Sequence, residues 1–417
     1  MTNTEEVVKE QTLNFLSGKS SEDPFSLFAK LRSIGSVVSV PNPMDSNKQA
    51  WMITDMDEAM NVLKDNKRFT VDPKGLEDNN LREDLANNLD SSTPDTFFTG
   101  NSMLFVDGVD HKRLRKLVSR AFTPKYMEEL RPRVQQIADE LLDQVIEEGA
   151  MDIVKDYAYP LPINVISEML GVPTSDRKDL QTWSSAIAKG LGWGRQDPSI
   201  AYSLNSFGNY TKQLVEEKRK NPGNDLISQL IIIEEEGDRL SESELISMIT
   251  LLIFAGHETT SNLIATGTMM LLDHPKQLEH LKSDLGLVPT AVEELLRFNG
   301  PSTSVGPRFA KEDIIINNQK INKGDMLLVL VKSANRDEQK FYQPDELNVM
   351  REIDRHLAFG QGIHMCLGAP LARIEGDIAF TTMLRRIPNI ELNVKRDELD
   401  WDIALSSQSL NSLPVTF

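Results

Sequence analysis

The feature that most constrains this chain is a glycine-framed loop around its single cysteine. Cys366 has Gly360, Gly362 and Gly368 around it, and Pro370 follows just before an apolar helical pattern. Glycine reaches backbone angles that other residues avoid, and proline suits the first turn of a helix. The sequence therefore predicts a rigid loop that presents one sulfur at the start of a helix. The helix dipole and nearby N–H groups would favour its thiolate.

Taken alone, a single cysteine allows several interpretations. It is most often a small buried hydrophobic side chain. Cys366 paired with His364 or another histidine would also suit a nucleophilic site, as in a catalytic-cysteine hydrolase. A zinc site is disfavoured, because the chain has no second cysteine to form a paired-ligand motif.

Composition excludes several other classes. One cysteine rules out a disulfide framework and a cluster held by four thiolates, and it fits a reducing cytoplasm. A net charge of −18 argues against general binding to nucleic acid or to anionic membranes. Residues 1–19 contain acidic side chains and no apolar core, so they do not resemble a signal peptide. No apolar run is long enough for a membrane span, so a cytoplasmic protein is expected.

The periodicity predicts a mainly α fold with small β-sheets, in one domain over residues 1–417. A β-containing N-terminal part covers about residues 1–100, and a helical core covers about 101–417. The predicted helices are 24–34, 56–63, 124–148, 162–170, two within 180–220, and 241–272. The predicted strands are 37–40, 50–53, 314–316, around 321, and 326–330, with short strands after 389. Ser241 and Glu244 predict a capping box at the start of the longest helix.

Two stretches allow a functional or a plain interpretation. Residues 69–99 are polar and irregular, which indicates either a functional loop or a disordered surface segment. The glycine cluster at 190–194 does not complete a dinucleotide fingerprint, because the third glycine position holds Arg195 and no strand precedes it. Electrons for any redox reaction are therefore expected from another protein.

The cysteine loop resembles that of the cytochromes P450. It matches F-G-x-G-x-H-x-C-x-G at every fixed position, from Phe359 to Gly368. The resemblance implies that Cys366 is the axial thiolate ligand of haem b iron, which favours O–O cleavage. It also implies that Phe359, Gly360 and Gly368 form the cofactor loop, and that His364 reaches a haem propionate.

A second stretch resembles the same family. The sequence Ala-Gly-His-Glu-Thr at 255–259 matches the P450 oxygen-binding pattern A/G-G-x-D/E-T. The resemblance implies that Ala255 and Gly256 adjoin the cofactor, with Gly256 allowing a ligand to approach the backbone. Glu258 would supply protons by general acid chemistry, and the Thr259 hydroxyl would relay them. By itself, the stretch is equally a helix with a polar exposed turn.

Two further sets of residues match P450 positions. Glu294 and Arg297 match E-x-x-R, which implies a structural ion pair that locks the meander, the polar segment 335–351, near the cysteine loop. The place of the usual third partner, an arginine, is occupied by Glu346, so Arg351 is the candidate replacement. His111, Arg115 and Arg308 match propionate ligands, although the usual D-P-P-x-H before the first of them is D-G-V-D-H here. Each of these charges alone is equally an ordinary surface or helix charge.

The resemblance implies a soluble bacterial-type P450 monooxygenase, similar to polyketide and macrolide hydroxylases and expected to be a monomer. It would insert one atom of O2 into a largely apolar organic molecule of polyketide, macrolide, terpenoid, steroid or fatty-acid type. A ferredoxin or flavodoxin with its reductase would supply electrons, docking on a basic stripe of Lys112, Lys116 and Arg120. The alternatives are a P450-type peroxygenase that uses hydrogen peroxide, and a haem-binding sensor. The Glu258–Thr259 pair argues against both.

Overall fold

Helices dominate the computed structural model, which describes residues 11–16, 23–43, 48–74, 76, 96, 101–190, 198–235, 240–403 and 406–417. From Phe25 onward the described helices are α1 (Phe25–Ile34), α2 (Met56–Lys64), α3 (Gly108–Ser119), α4 (Pro124–Asp143), α5 (Pro160–Leu170), α6 (Arg177–Gly190), α7 (Pro198–Lys220), α8 (Leu226–Glu235), α9 (Glu242–Asp273), α10 (Pro275–Ser283), α11 (Val288–Asn299), α12 (Val331–Ala334) and α13 (Ala369–Arg386). The prediction of a mainly α fold with small sheets is confirmed.

Short strands form small sheets at the edges of the helical core. In chain order they are β1 (Val37–Pro41), β2 (Gln49–Ile53), β3 (Phe69–Thr70), β4 (Ala150–Asp152), β5 (Arg308–Ala310), β6 (Ile314–Ile316), β7 (Gln319–Ile321), β8 (Met326–Val329), β9 (Glu391–Leu392), β10 (Trp401–Ile403), β11 (Gln408–Leu410) and β12 (Pro414–Thr416). The largest sheet has the order β1-β2-β8-β5-β3, with β2 and β8 parallel. Strands from the N-terminal part thus pair with strands from the C-terminal half. The single-domain interpretation remains a prediction.

The long helix α9 runs through the middle of the helical core. Its N-terminus is fixed by the predicted capping box, in which the Ser241 hydroxyl accepts from the Glu244 N–H and the Glu244 carboxylate accepts from the Ser241 N–H. Helices α5, α11 and α13 pack against it. Such a helix is apolar on nearly every side, because it has protein neighbours on every side.

The observed boundaries follow the predicted periodicity with a few differences. Helix α4 ends at Asp143 rather than at residue 148, because residues 144–149 form turns and Gly149 adopts a φ of +65° before β4. The two helices predicted within 180–220 are α6 and α7, and the glycine cluster between them lies mostly outside the described residues. Most of the polar stretch 69–99 also lies outside them. Among the described helices, none is long and apolar enough to cross a membrane.

Candidate active site

Backbone hydrogen bonds shape the loop that carries Cys366. The Cys366 N–H donates to the Phe359 carbonyl at 2.9 Å, and the Met365 N–H donates to the Gly362 carbonyl at 3.1 Å. Gly368 is the N-cap of α13, and the sulfur is exposed at its start. Arg115 crosses from α3 and donates to the Met365 carbonyl at 2.6 Å. The predicted loop at a helix start is therefore present, with its thiol accessible.

The glycine at 362 has a steric reason. Its φ is +76°, a conformation that side chains disfavour, and a Cβ there would collide with the Leu63 carbonyl at the end of α2. Gly360 also has a positive φ, of +66°. Any substitution at Gly362 would push the loop away from α2. The glycine frame therefore fixes where Cys366 lies.

The protein by itself disfavours the Cys366 thiolate. Cys366 is open to solvent on one side, but protein atoms pack around the rest of its side chain. This partial burial raises the pKa of the thiol. The N–H groups of Gly368 and Ala369 and the Arg115 guanidinium act in the opposite direction, as the helix-start argument expects, but they do not prevail. A cation bound at the sulfur would reverse the balance, because a coordinating thiol is deprotonated.

An accessible patch interrupts the buried helix α9 at its middle. Residues 244–253 and 260–271 are all buried, whereas Ala255 and Thr259 are exposed and Glu258 is partly exposed. The Thr259 hydroxyl donates a long hydrogen bond of 3.4 Å to the Ala255 carbonyl one turn before. The predicted oxygen-binding stretch thus leaves its small residue and its hydroxyl accessible in the middle of a buried helix.

The reason given for Gly256 is corrected by the structure. A Cβ at this position would lie 2.6 Å from the Ile166 side chain of α5. The glycine therefore permits close packing of α9 against α5, and the side where its Cβ would stand does not open towards a ligand. A neighbouring pair in the same packing layer is Tyr159 and His257, whose rings meet edge to face at 5.2 Å. The assignment of Gly256 as a cofactor-binding residue remains a prediction.

Asp107 gathers three segments around the predicted anion site. One of its oxygens lies 2.8 Å from His364 Nε2. The other accepts from the Thr70 hydroxyl at 2.6 Å and from the Val71 N–H at 3.0 Å. Burial alone would raise the pKa of Asp107, but these hydrogen bonds, led by that of His364, lower it to about 2. The rings of His111 and His364 are 4.2 Å apart.

The cationic and donor groups around Asp107 are buried with few partners. Burial, followed by the charges of His364 and Arg115, lowers the pKa of His111 to about 4, so this imidazole is neutral at pH 7. Its Nε2 atom is buried without a hydrogen-bond partner among the described residues. Arg308 is also buried and donates only to the carbonyls of Gly306 and Pro307 in the described part of the chain. Burial lowers the pKa of Arg308 to about 10, against the attraction of Asp107.

The E-x-x-R pair is completely buried and makes a closed polar network. Arg297 binds both oxygens of Glu294, at 2.7 and 2.9 Å, and neither side chain is exposed. Arg297 also donates to the carbonyls of Asn335 and Pro344 in the meander. Arg351 binds Glu294 at 3.2 Å, so its prediction as the third partner is confirmed. The network fixes the meander to α11.

The basic stripe on α3 and the turn after it is partly as predicted. Lys112, Lys116 and Arg120 are exposed. Arg113, between them, forms a two-point ion pair with Glu244 at the start of α9. Arg113 therefore joins α3 to α9 and does not belong to a free docking surface.

Known proteins resemble this chain over most of its length. Residues 199–409 match the family model described as Cytochrome P450. Cytochrome P450 CYP107DY1 of Priestia megaterium is 44% identical over 88% of this chain and 90% of that protein. The polyketide biosynthesis cytochrome P450 PksS of Bacillus subtilis is 44% identical over 88% of this chain and 89% of its own length. The solved structure of myxobacterial cytochrome P450 CYP267B1 in complex with myristic acid matches with a TM-score of 0.88 and 38% identity, covering 97% of this chain and 98% of that one.

The chain belongs to the cytochrome P450 family. As a P450 it is an oxidoreductase of the monooxygenase type that contains haem iron and uses an organic substrate, O2 and a redox partner. It resembles bacterial P450s, including polyketide biosynthetic ones.

The residues of this P450 fit haem on structural grounds. The exposed Cys366 thiol is the one thiolate ligand that the sequence offers. His111 has an unsatisfied buried donor or acceptor, and Arg308 is a buried cation without a carboxylate partner in the described residues. Of two propionates, one could accept a hydrogen bond from the neutral His111 imidazole, and Arg308 would supply a counter-charge. His364 was also expected there, but its Nε2 contacts Asp107, so its role stays a prediction.

Two residues near the site were not singled out from the sequence. Asp107 was read only as part of the departure from D-P-P-x-H, and its contact with His364 joins residues far apart in the chain. Glu375 lies in α13, fully buried, and its carboxyl oxygens make no hydrogen bond in the described structure. Burial raises the pKa of Glu375 to about 8, with only the neighbouring Thr260 hydroxyl acting against the shift. The sequence signal that could have identified Glu375 is a single glutamate within the apolar helical pattern of α13.

Proposed function

We propose that this P450 binds haem b through Cys366 and inserts one oxygen atom from O2 into a largely apolar organic substrate. The observation that carries the proposal is the pairing of an accessible, loop-held thiol with an exposed Ala255–Thr259 patch on a buried helix. Haem held by a cysteine thiolate supplies the reductive activation of O2. Phe359, Gly360 and Gly368 give the loop its shape.

The chain's own residues have separate roles in this proposal. His111, Arg115 and Arg308 hold the propionates, and His364 joins the same site through Asp107. Ala255 lies beside the cofactor, and Gly256 contributes through its backbone while its Cβ side packs α9 against α5. Glu258 holds a proton at its carboxyl group, and the Thr259 hydroxyl passes it towards the site of O2 reduction.

A polyketide, macrolide or fatty-acyl-like molecule is the favoured substrate class. The support is the similarity to a P450 of polyketide biosynthesis and to a P450 crystallised with myristic acid. We expect the segment 302–305 to line the substrate pocket, where it would place hydroxyl side chains among apolar ones. Terpenoids and steroids remain candidates of the same largely apolar kind. We propose a monomeric, single-domain protein of the cytoplasm.

Electrons would come from a ferredoxin or flavodoxin that docks on Lys112, Lys116 and Arg120. Although the whole protein carries a net charge of −18, screening limits attraction to about 8 Å at physiological salt, so a local basic patch can bind an acidic partner. A peroxygenase would need no such partner, and a sensor would not turn over substrate. The Glu258–Thr259 pair favours the O2-dependent monooxygenase over both.

Charge reversal separates these possibilities. The variant Lys112→Glu/Lys116→Glu/Arg120→Glu should slow ferredoxin-driven reduction and product formation, most strongly at low salt. Peroxide-driven turnover by the same variant should be unchanged. Lys320→Glu, another exposed lysine, is the matched control. Equal losses in both assays would mean that the haem site is damaged, and turnover with peroxide alone would favour the peroxygenase.

A further inference from the structure

Lys332 is a buried amine at a position where no acid balances it. It lies in α12 and is 2% exposed. Its Nζ donates to Asn299 Oδ1 at 2.6 Å and to Gln408 Oε1 at 3.0 Å, and no carboxylate pairs with it in the described part of the chain. Lysine is rarely buried without a charged partner, because burying an unpaired charge is costly. The arrangement therefore calls for a role.

The two amide partners of Lys332 belong to different elements. Asn299 is the last residue of α11, the helix that carries the E-x-x-R pair. Gln408 is the first residue of β11, near the C-terminus. The lysine thus joins three segments that lie far apart in the sequence. A charged donor to two amide oxygens is a stronger link than a neutral one.

The segment 301–305 lies between Lys332 and Gln408 and is hydrogen-bonded to both. The Lys332 N–H donates to the Thr303 carbonyl at 3.3 Å, and the Thr303 N–H donates to the Ser406 carbonyl at 2.9 Å. The Gln408 N–H donates to the Pro301 carbonyl at 3.3 Å. The segment is therefore held from one side by α12 and from the other by Ser406 and Gln408 at the start of β11.

The same segment adjoins the cysteine loop. Val305 Cγ1 lies 3.7 Å from the place that a Cβ on Gly360 would occupy. Three residues later the chain reaches Arg308, the buried cation of the site. A shift of the segment 301–305 would therefore move a wall beside the cofactor loop.

We propose that Lys332 is a positioning residue that fixes the segment 301–305 and the start of β11, and thereby the width of the substrate pocket. The inference rests on the proposed function, in which this segment is a pocket wall. Lys332 acts through the segment and does not touch the reacting atoms.

The charge of Lys332 makes this link sensitive to pH. Burial, followed by repulsion from Arg336, lowers the pKa of Lys332 to about 7. As pH rises through that value, the amine loses its charge and its bonds to Asn299 and Gln408 weaken. The charged groups on the surrounding elements are engaged elsewhere: Arg297 with Glu294, Arg336 with Asp345, Arg32 with Glu338, and Asp337 with the Met56 N–H.

Azole binding to the haem-loaded protein tests the proposal. Imidazole is small and reports on the haem alone, whereas clotrimazole is bulky and must also fit the pocket wall. Each Kd is measured from the shift of the main haem band, for wild type and Lys332→Met, at about pH 6 and about pH 8.5. The Kd of the variant is divided by the Kd of wild type at each pH, so that the titration of the azole itself cancels. Lys320→Met is the exposed control.

We expect Lys332→Met to weaken clotrimazole binding about ten-fold at the lower pH, the value of roughly one hydrogen bond. At the higher pH the ratio should fall towards one, because the neutral wild-type amine makes weaker bonds to Asn299 and Gln408. Imidazole binding should not change. In Gln408→Glu, clotrimazole binding should weaken at a higher pH than in wild type, because a carboxylate beside Lys332 favours the charged amine.

Stability separates positioning from simple structural damage. The pKa of Lys332 is lowered on folding, so the buried amine lowers the stability fully below about pH 7, and this loss is relieved as the pH rises towards the ordinary value for lysine. Lys332→Met should therefore unfold at the wild-type temperature or above. An unchanged clotrimazole Kd, or equal weakening of both azoles, would overturn the proposal. If wild type gave no imidazole spectrum at all, the proposed haem function would fail instead.

Discussion

Two buried polar regions of this P450 differ in how completely their charges are satisfied. Around Glu294, two arginines and the Asn348 N–H occupy the carboxylate, and Arg297 also binds meander carbonyls. Around Cys366, His111 has an unsatisfied nitrogen and Arg308 has no carboxylate partner in the described residues. Glu294, His111 and Arg308 are all buried, yet only the groups around Glu294 form a closed network.

The difference separates residues that hold the fold from residues that await a ligand. A buried ion pair that is fully hydrogen-bonded needs nothing else, and breaking it leaves an unpaired charge. Buried groups left without partners lower the stability of the protein alone, and native structures retain them chiefly at functional sites. Substitutions in the two regions should therefore have opposite signatures.

The largest expected effect is on stability, at Glu294. Glu294→Ala leaves Arg297 buried without its counter-charge, so we expect a loss of about 3–5 kcal/mol in the free energy of unfolding. Urea unfolding of the haem-loaded protein measures it. Glu128→Ala is the control, because Glu128 and Arg131 have the same i, i+3 spacing but are exposed, and little change is expected there. Equal effects of the two variants would remove the distinction.

The site cation Arg308 should show the reverse pattern. Arg308→Met removes a buried charge that has no carboxylate partner in the described residues, so the unfolding temperature of the haem-free protein should not fall. Haem should leave the variant about ten-fold faster, the value of roughly one charge-assisted bond to a propionate. Transfer of haem to apomyoglobin measures the rate, with the exposed Arg355→Met as control. An unchanged rate would mean that Arg308 does not hold the cofactor.

Thr259 should affect the reaction, with little effect on the unfolding of the protein or on the retention of haem. Its hydroxyl makes only the long bond to Ala255 within the described structure, so Thr259→Ala should fold and bind haem normally. Without the hydroxyl, reducing equivalents should be lost as hydrogen peroxide, severalfold more than in wild type. The ratio of product to reductant consumed measures this, and Thr259→Ser should restore it. A substrate hydroxyl can replace the threonine, so several substrates should be compared.

Glu375 gives the sharpest contrast with Glu294, since both carboxyls are fully buried. The pKa of Glu375 is raised to about 8, so the folded protein keeps a proton that the unfolded chain loses near its ordinary value of 4.5. The resulting stability is present at low pH and is lost as pH rises through about 8. Glu375→Gln should therefore match wild type near pH 5 and unfold several degrees higher near pH 9. A constant difference across this range would contradict the assignment of a neutral acid.

Local patterns predicted much of this fold and site. Apolar periodicity gave α1, α2, α5 and α9, the pair Ser241 and Glu244 gave the cap, and the glycines around Cys366 gave the loop. These features depend on neighbours within a few residues in the chain.

Long-range contacts could not be predicted in the same way. The contact of Asp107 with His364, the ion pair of Arg113 with Glu244 and the bonds of Lys332 each join segments that only the tertiary fold brings together. The packing reason for Gly256 was missed for the same cause, because its partner Ile166 lies on another helix and the sequence does not show their contact.

The most direct test of the account is the spectrum of the ferrous carbonyl complex of wild type and Cys366→Ser. A cysteine thiolate is the strongly donating axial ligand that this family requires, and no other cysteine in the chain can replace it. Wild type should show the red-shifted main haem band, and Cys366→Ser should lose both that band and monooxygenase activity. Retention of the red-shifted band by Cys366→Ser would contradict the assignment of Cys366 as the haem ligand.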